Sequence, residues 1–273
     1  MIRELLELSP LGDDRFDALV PTYDYRPNLF GGQVAGQALR AAALTVPADR
    51  LPHSLHSYFV RPGRLDVPLA MQVERVRDGR SFTVRGVEAW QQDEVILDMV
   101  ASFHVPEDGD RYAQPFPDVP DPNDLDPDPF HGTGFAAPPI ETRMASEVHG
   151  DPEAPLGSAV RYWARSTESW DDDAGLAAAY LAYVADLRAG TALVDLGRMA
   201  SGEWMIASLD QRLWFHDRVS PGDWILVDLR RVWMGGNRGL VLGTVHAADH
   251  RHVASFTQEL VTRRRAGRPE STR

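Results

Sequence analysis

The stretch MVASFHVPED (99–108) and the stretch HVASFTQELV (252–261) share four letters, Val-Ala-Ser-Phe, at 100–103 and again at 253–256. Read backwards from each, the same signals follow in the same order. VEAWQQDEVILDM and VLGTVHAADHRH are apolar runs broken by a polar turn, the mark of a hairpin. VPLAMQVERVRDGRSFTVRGV and WILVDLRRVWMGGNRGLVLGTV read as strand, turn, strand, with Asp78-Gly79 and Gly235-Gly236-Asn237 as the turn chemistry. LHSYFVRPG (55–63) and QRLWFHDRVSPG (211–222) each set aromatic residues ahead of Pro-Gly or Gly-containing turns. Phe59 precedes Val100 by 41 positions and Phe215 precedes Val253 by 38, so the register survives small insertions. The chain is a repeat.

Each copy also carries a helix candidate ahead of its strand block. These are GGQVAGQALRAAALTV (31–46) and DDAGLAAAYLAYVADLRA (172–189), the second with Asp171, Asp172 and Asp173 as a capping cluster. The pattern predicts an α+β chain in the double hot-dog arrangement: two tandem units, each a curved antiparallel sheet wrapped around a central helix. Pairing the two sheets edge to edge would hide two open edges. The expected units are 1–106 and 140–265, separated by a Pro/Asp-rich linker at 107–139 and followed by a tail at 266–273. Proline and mutually repelling acids argue for an extended crossing there and against a third core. A plain tandem of α+β domains is the alternative.

Composition prunes the chemistry. The chain has no Cys and no Lys, and all 28 basic residues are Arg. Thiolate nucleophiles, Cys-ligated metals, Schiff-base lysines and the GxxxxGK[ST] phosphate loop are thereby excluded. A net charge of −12 argues against a nucleic-acid partner. Local basic clusters, RVRDGR (75–80), LRRVW (229–233) and TRRRAGR (262–268), still offer docking points for a small anion. No window approaches the ~20 apolar residues of a membrane span. The start, MIRELLELSPLGDDRF, lacks the pattern of a signal peptide, so the expectation is a cytoplasmic protein. His53 and His56 stand three apart in a strand pattern and face opposite ways, which makes a poor metal pair. No GxSxG occurs, so a nucleophile-elbow serine is not expected, and neither is a metal or other cofactor.

FGGQVAGQAL (30–39), HSLHSYFVRPG (53–63), RDGRSF (77–82) and LWFHD (213–217) resemble the acyl-CoA thioesterase II family, double hot-dog hydrolases of fatty acyl-CoA thioesters. The resemblance runs from about residue 5 to 265 and loosens in the linker and at 140–170. It implies an acyl-CoA substrate and a dimer or dimer of dimers. It further implies a water held by an Asp, a Thr or Ser and a Gln, all from the second unit. Residue by residue, these fall on Asp186 in YVADL, on Ser208 two positions before the Asp of LDQRLWF, and on Gln258 after the second VASF. Ser at 208 departs from the commoner Thr but keeps the hydroxyl.

The repeat supplies an internal contrast for these positions. The first copy ends VASF-His104-Val105 and the second VASF-Thr257-Gln258, so a carboxamide stands where the scaffold copy has an apolar residue. Asp186 lies among Ala, Leu, Val and Tyr, where burial of a carboxylate needs a reason; the plainer reading pairs it with Arg188 at the helix end. Two uncharged partners would leave the carboxylate unquenched as a base for water. Gly31, Gly32 and Gln33, at the start of the first central helix, are the expected oxyanion and substrate-positioning residues, with backbone N–H groups there holding the carbonyl oxygen. The rival readings are a double hot-dog enoyl-CoA hydratase, which would need an Asp–His pair not seen here, and a non-catalytic acyl-CoA-binding protein.

Overall fold

A computed structural model of the chain describes residues 2–20, 28–128, 140–146, 159–168 and 173–265. After a short helix α1 (Ile2–Leu6), the N-terminal half contains β1 (Leu8–Gly12), β2 (Arg15–Ala18), helix α2 (Gly31–Ala43), β3 (Leu51–Phe59), β4 (Leu69–Asp78), β5 (Phe82–Gln91) and β6 (Glu94–His104). The C-terminal half repeats that order with β7 (Ile140–Met144), β8 (Ala159–Ser166) and helix α3 (Ala174–Asp186). It then adds α4 (Leu196–Ala200) and β9 (Trp204–Ser208) before β10 (Asp210–Phe215), β11 (Ile225–Gly235), β12 (Arg238–Ala247) and β13 (His252–Arg264).

The strands join in one antiparallel sheet ordered β1-β2-β4-β5-β6-β3-β10-β13-β12-β11-β8-β7, with β9 pairing β13 off that path. Read outward from its centre, the order is the same on both sides. The seam is β3 against β10, in register from Ser54–Trp214 to Tyr58–Asp210. Each VASF segment lies in the strand beside the seam, β6 pairing β3 and β13 pairing β10. Phe103 and Phe256 are fully buried there.

Both central helices are buried on almost every side, as their Ala-rich sequences anticipate. They run shorter than the sequence suggests. α2 stops at Ala43 because Val46 precedes Pro47 and is pushed out of the helical region. α3 stops at Asp186, and the chain tightens into a 3₁₀ turn at Ala189–Ala192 around Gly190. Asp173 caps α3, accepting from the Leu176 N–H at 3.0 Å, and Arg40 of α2 pairs with it at 2.9 Å. Asp171 and Asp172 lie outside the described residues, as does the 266–273 tail. The two helices approach antiparallel through glycine. A Cβ on Gly32 would lie 2.7 Å from the Tyr183 carbonyl oxygen, and one on Gly36 2.8 Å from that of Ala179. The sequence reading did not anticipate the N-terminal hairpin. Its turn sets Asp13 and Asp14 at φ 51° and 54°, the left-handed pair of a tight hairpin turn.

The described part of the linker contributes packing, which an extended crossing did not suggest. Phe116, Val119 and Leu125 cover a small second cluster of Trp163, Trp224 and Leu226 on the outer face of the C-terminal sheet. Phe116 also stacks on His250 at 4.0 Å and meets His246 edge-on at 5.6 Å. His246 is buried and stacks on His252 at 4.8 Å. Burial, and then the neighbouring His252, hold His246 below the ordinary histidine value; the nearby Asp228 opposes this. Burial lowers His252 as well. The unfolded chain, with histidines near ~6.5, therefore binds more protons than the folded one as pH falls through that value. Stability present at neutral pH is lost on acidification. Thermal melts from pH 7.5 to 5 should show a falling Tm, and His246→Leu should flatten the fall.

Candidate active site

The site forms where the C-terminus of α3 meets the N-terminus of α2. The first turn of any helix leaves N–H groups without intrahelical partners. Phe30, at the cap position of α2, makes no side-chain hydrogen bond to them. Asp186 does so instead: the Gly32 N–H donates to its Oδ2 at 2.6 Å. The last residue of one central helix thus caps the other, with its carboxylate at the end where the helix dipole favours negative charge. Gly31 and Gly32 make this possible. A Cβ on Gly31 would lie 2.9 Å from Asp186 Oδ2, and one on Gly32 2.9 Å from Asp186 Cβ.

The other carboxylate oxygen faces the sheet. Ser208 Oγ donates to Asp186 Oδ1 at 3.2 Å. Gln258 Nε2 donates to the same Oδ1 and, at 2.7 Å, to Ser208 Oγ. The backbone explains why these two side chains meet. β9 pairs β13 with Ser208 opposite Leu260, whereas β10 pairs it with Arg212 opposite Thr257, so the chain kinks at Leu209. The Leu209 N–H donates to the Glu259 carbonyl at 2.8 Å, and the Glu259 N–H donates to Asp210 Oδ1 at 2.8 Å. These bonds grip β13 on the residue next to Gln258. Gln258 is fully buried, and its Oε1 has no hydrogen-bond partner among the described residues. An acceptor in that position calls for a water or ligand.

Asp186 and Ser208 open on a cavity of about 520 Å³, a volume typical of small-molecule sites. Its apolar walls come from both halves, Phe30, Phe59 and Ile96 from the first and Met199, Ile206 and Leu260 from the second. Tyr162 lies behind the site and donates to the Val184 carbonyl at 3.0 Å. Its hydroxyl is pushed well above the usual tyrosine range, by burial first and then by the Asp186 charge, so it stays protonated as a donor.

The three residues expected to act together, Asp186, Ser208 and Gln258, are in mutual hydrogen-bond contact. The expected oxyanion donors fare differently. Gly31 lines the cavity, but the Gly32 N–H is spent on Asp186. Gln33 turns away and donates to the Leu19 carbonyl at 3.0 Å and to Gln37 Oε1, anchoring the N-terminal segment. The polar residue that looked poised for substrate is a fold anchor because residue 33 of α2 faces Leu19 and Gln37, not the cavity. Arg188 does not serve as the partner of Asp186. Its guanidinium donates to Asp128 of the linker, and Thr142 Oγ1 also donates to that carboxylate, at 3.1 Å. Burial pushes Arg188 down to about 10, so it remains charged at neutral pH. Nothing in DPDPF sets Asp128 apart from the acids around it, so this partner was not legible.

The region 21–104 matches the acyl-CoA thioesterase N-terminal domain, and 117–262 matches the acyl-CoA thioesterase C-terminal domain. The chain belongs to the acyl-CoA thioesterase II family. Its enzymes are thioester hydrolases. Acyl-coenzyme A thioesterase 8 of Mus musculus is 33% identical, over 96% of this chain and 89% of its own. Acyl-CoA thioesterase 2 of Haemophilus influenzae is 30% identical, over 93% and 94%. The crystal structure of acyl-CoA thioesterase II TesB2 from Mycobacterium marinum superposes with a TM-score of 0.82 at 32% identity, covering 98% of both chains. A hot dog fold protein from Alicyclobacillus acidocaldarius superposes at 0.76 and 20% identity over 97% and 98%, a likeness of fold alone. The acyl-CoA thioesterase II fold in this chain includes no helix among the described residues long and apolar enough to cross a membrane.

Gly32, which lets the two central helices touch, gives a direct prediction. Gly32→Ala puts a Cβ against a backbone carbonyl that cannot swing aside, so the helices must separate. Overpacking of this kind destabilises by about 1–3 kcal/mol. Because Asp186 rides on the same contact, kcat should fall more than Tm alone explains. Melting curves and thiol-release rates on one preparation check both.

Proposed function

We propose that this chain is a double hot-dog acyl-CoA thioesterase in which Asp186, Ser208 and Gln258 hold the attacking water. The observation that carries the reading is the convergence of Ser208 Oγ and Gln258 Nε2 on a single oxygen of Asp186, at the mouth of an apolar cavity. A water settled there donates one hydrogen to the carboxylate and the other to Gln258 Oε1, which leaves a lone pair directed outward. The acyl chain occupies the apolar cavity, with the thioester carbonyl oxygen against the start of α2 at Gly31, where the dipole favours negative charge. Attack forms the C–O bond while Asp186 takes the proton. Collapse of the tetrahedral intermediate breaks the C–S bond, and the departing CoA thiolate takes the proton from Asp186. The products are the fatty acid and CoA, and the carboxylate is regenerated. Ser208 and Gln258 carry no charge, so they orient the base without competing for its proton.

The test is release of free thiol from acyl-CoA esters of several chain lengths. Hydrolysis of at least one is expected. Hydration of an enoyl-CoA without thiol release would make the chain a hydratase instead, and tight binding of acyl-CoA with no turnover of any chain length would make it a binding protein.

A further inference from the structure

The seam between the halves sets a local two-fold. β3 and β10 pair antiparallel with His56 opposite Arg212, so a rotation about that point carries Phe59 onto Phe215 and Ser208 onto Pro52. The helices obey the same rotation. Gly32 closes on Asp186, with a Cβ at 32 lying 2.9 Å from the aspartate Cβ; Gly175 closes on Ala43, with a Cβ at 175 lying 2.8 Å from the alanine Cβ. Ala43 is therefore the image of Asp186. Val100 stands opposite His56 as Thr257 stands opposite Arg212, so the same rotation makes Ala101 the image of Gln258; the two VASF segments sit at different heights in their strands. All three water-holding residues are replaced on the far side, by Ala43, Pro52 and Ala101. The capping duty of Asp186 lapses with them, and α3 is capped by its own Asp173.

The hollow itself is kept. A second cavity of about 260 Å³ lies at the start of α3, and its wall repeats the catalytic wall by rotation: Ala174 for Gly31, Phe215 for Phe59, Pro52 for Ser208. Its floor is apolar, from Ala177, Ala178 and Leu181, and its rim carries Arg111, Arg218, His104 and His216 beside Glu107 and Asp217. Asp217 is engaged at 3.3 Å by Arg111 of the rim and at 3.1 Å by Arg251, which lies outside it, so two guanidinium groups share this one carboxylate.

We infer that this second cavity is a non-hydrolytic binding site for a fatty acyl chain with an anionic head. The tail lies on the α3 floor against Phe215 and the head lies among the rim arginines. With two alanines and a proline where the base and its partners would stand, no water is activated, and the occupant is held intact. This rests on the proposed roles of Asp186, Ser208 and Gln258 for its silence, and on the cavity alone for its binding. Two sources offer the chemistry, acyl-CoA itself and the free fatty acid it yields.

Calorimetric titration of the wild-type chain tests this, with a non-hydrolysable thioether analogue of acyl-CoA in one arm and the free fatty acid in the other. Two equivalents per chain are expected in at least one arm. A second equivalent from the fatty acid identifies the carboxylate as sufficient, and one from the analogue alone identifies the CoA moiety as required. Ala178→Phe and Val219→Trp each fill the cavity from a different side. Both should weaken the second equivalent about tenfold or more while thiol release persists. Val219 lies outside the helices, so Val219→Trp serves should Ala178→Phe fail to fold. One equivalent in both arms, or two that neither variant alters, overturns the inference. Retained activity in Asp186→Asn would reject the base assignment and leave the stoichiometry unchanged, so the two failures are distinguishable.

Discussion

Asp186→Asn should lower kcat for thioester hydrolysis about 10³-fold, in the middle of the range for loss of a general base. The substitution keeps the shape of the side chain and an oxygen able to accept from the Gly32 N–H, so the cap on α2 survives. What is lost is the capacity to take a proton from water. The new amide also presents donors toward Gln258 Nε2 and Ser208 Oγ unless it orients its oxygen there, so the array proposed to aim the water is disturbed as well. KM should change little, since the cavity walls are untouched. A near-normal melting temperature with a collapsed rate is the expected pair of measurements. Wild-type rates from the variant would remove Asp186 from the chemistry.

Asp128→Ala should cost about 3–5 kcal/mol of folding stability, the range for removing one partner of a buried ion pair. Arg188 is 3% exposed and Asp128 as little, so neither charge can fall back on water. Deleting the carboxylate strands a buried guanidinium and leaves Thr142 Oγ1 without its acceptor. The site should suffer too, because Arg188 follows Asp186 by two residues and lines the same cavity. Charge, not lost packing, is the proposed cause, and the double variant Asp128→Ala/Arg188→Met separates them. It should recover much of the lost stability in denaturant titrations. A double variant as unstable as the single one would assign the loss to packing of the linker.

The repeat and its strand order were legible because alternation and turn chemistry are local signals, and because the chain states them twice. The contrast of Val105 with Gln258 was misplaced: Val105 is only half-buried and lies past β6, and the strand registers put the fully buried Ala101 where Gln258 stands. The alternation, however, does not say where a helical side chain points. Gln33 looked poised for substrate and instead anchors Leu19, because a rotation of 100° per residue around a buried helix separates neighbours that are adjacent in sequence. The plainer alternative, a pair between Asp186 and Arg188, rested on proximity in sequence, and Arg188 is paired elsewhere. Its carboxylate comes from 60 positions away, in a stretch where every third letter or so is acidic. Long-range electrostatic pairing leaves no periodicity to read.

The seam at β3 and β10 also constrains the order of events at the ribosome. Ser57 and Gln211, bonded across it, stand 154 positions apart. While the chain is being synthesised, the first half can wrap its helix, yet one flank of β3 has no neighbour until the segment around 210–215 emerges. At roughly 5–20 residues per second, that wait lasts on the order of ten seconds or more. Over that interval the nascent chain exposes a strand ready to accept any extended peptide, which makes this flank the natural place for a chaperone to attend and for a truncated product to aggregate.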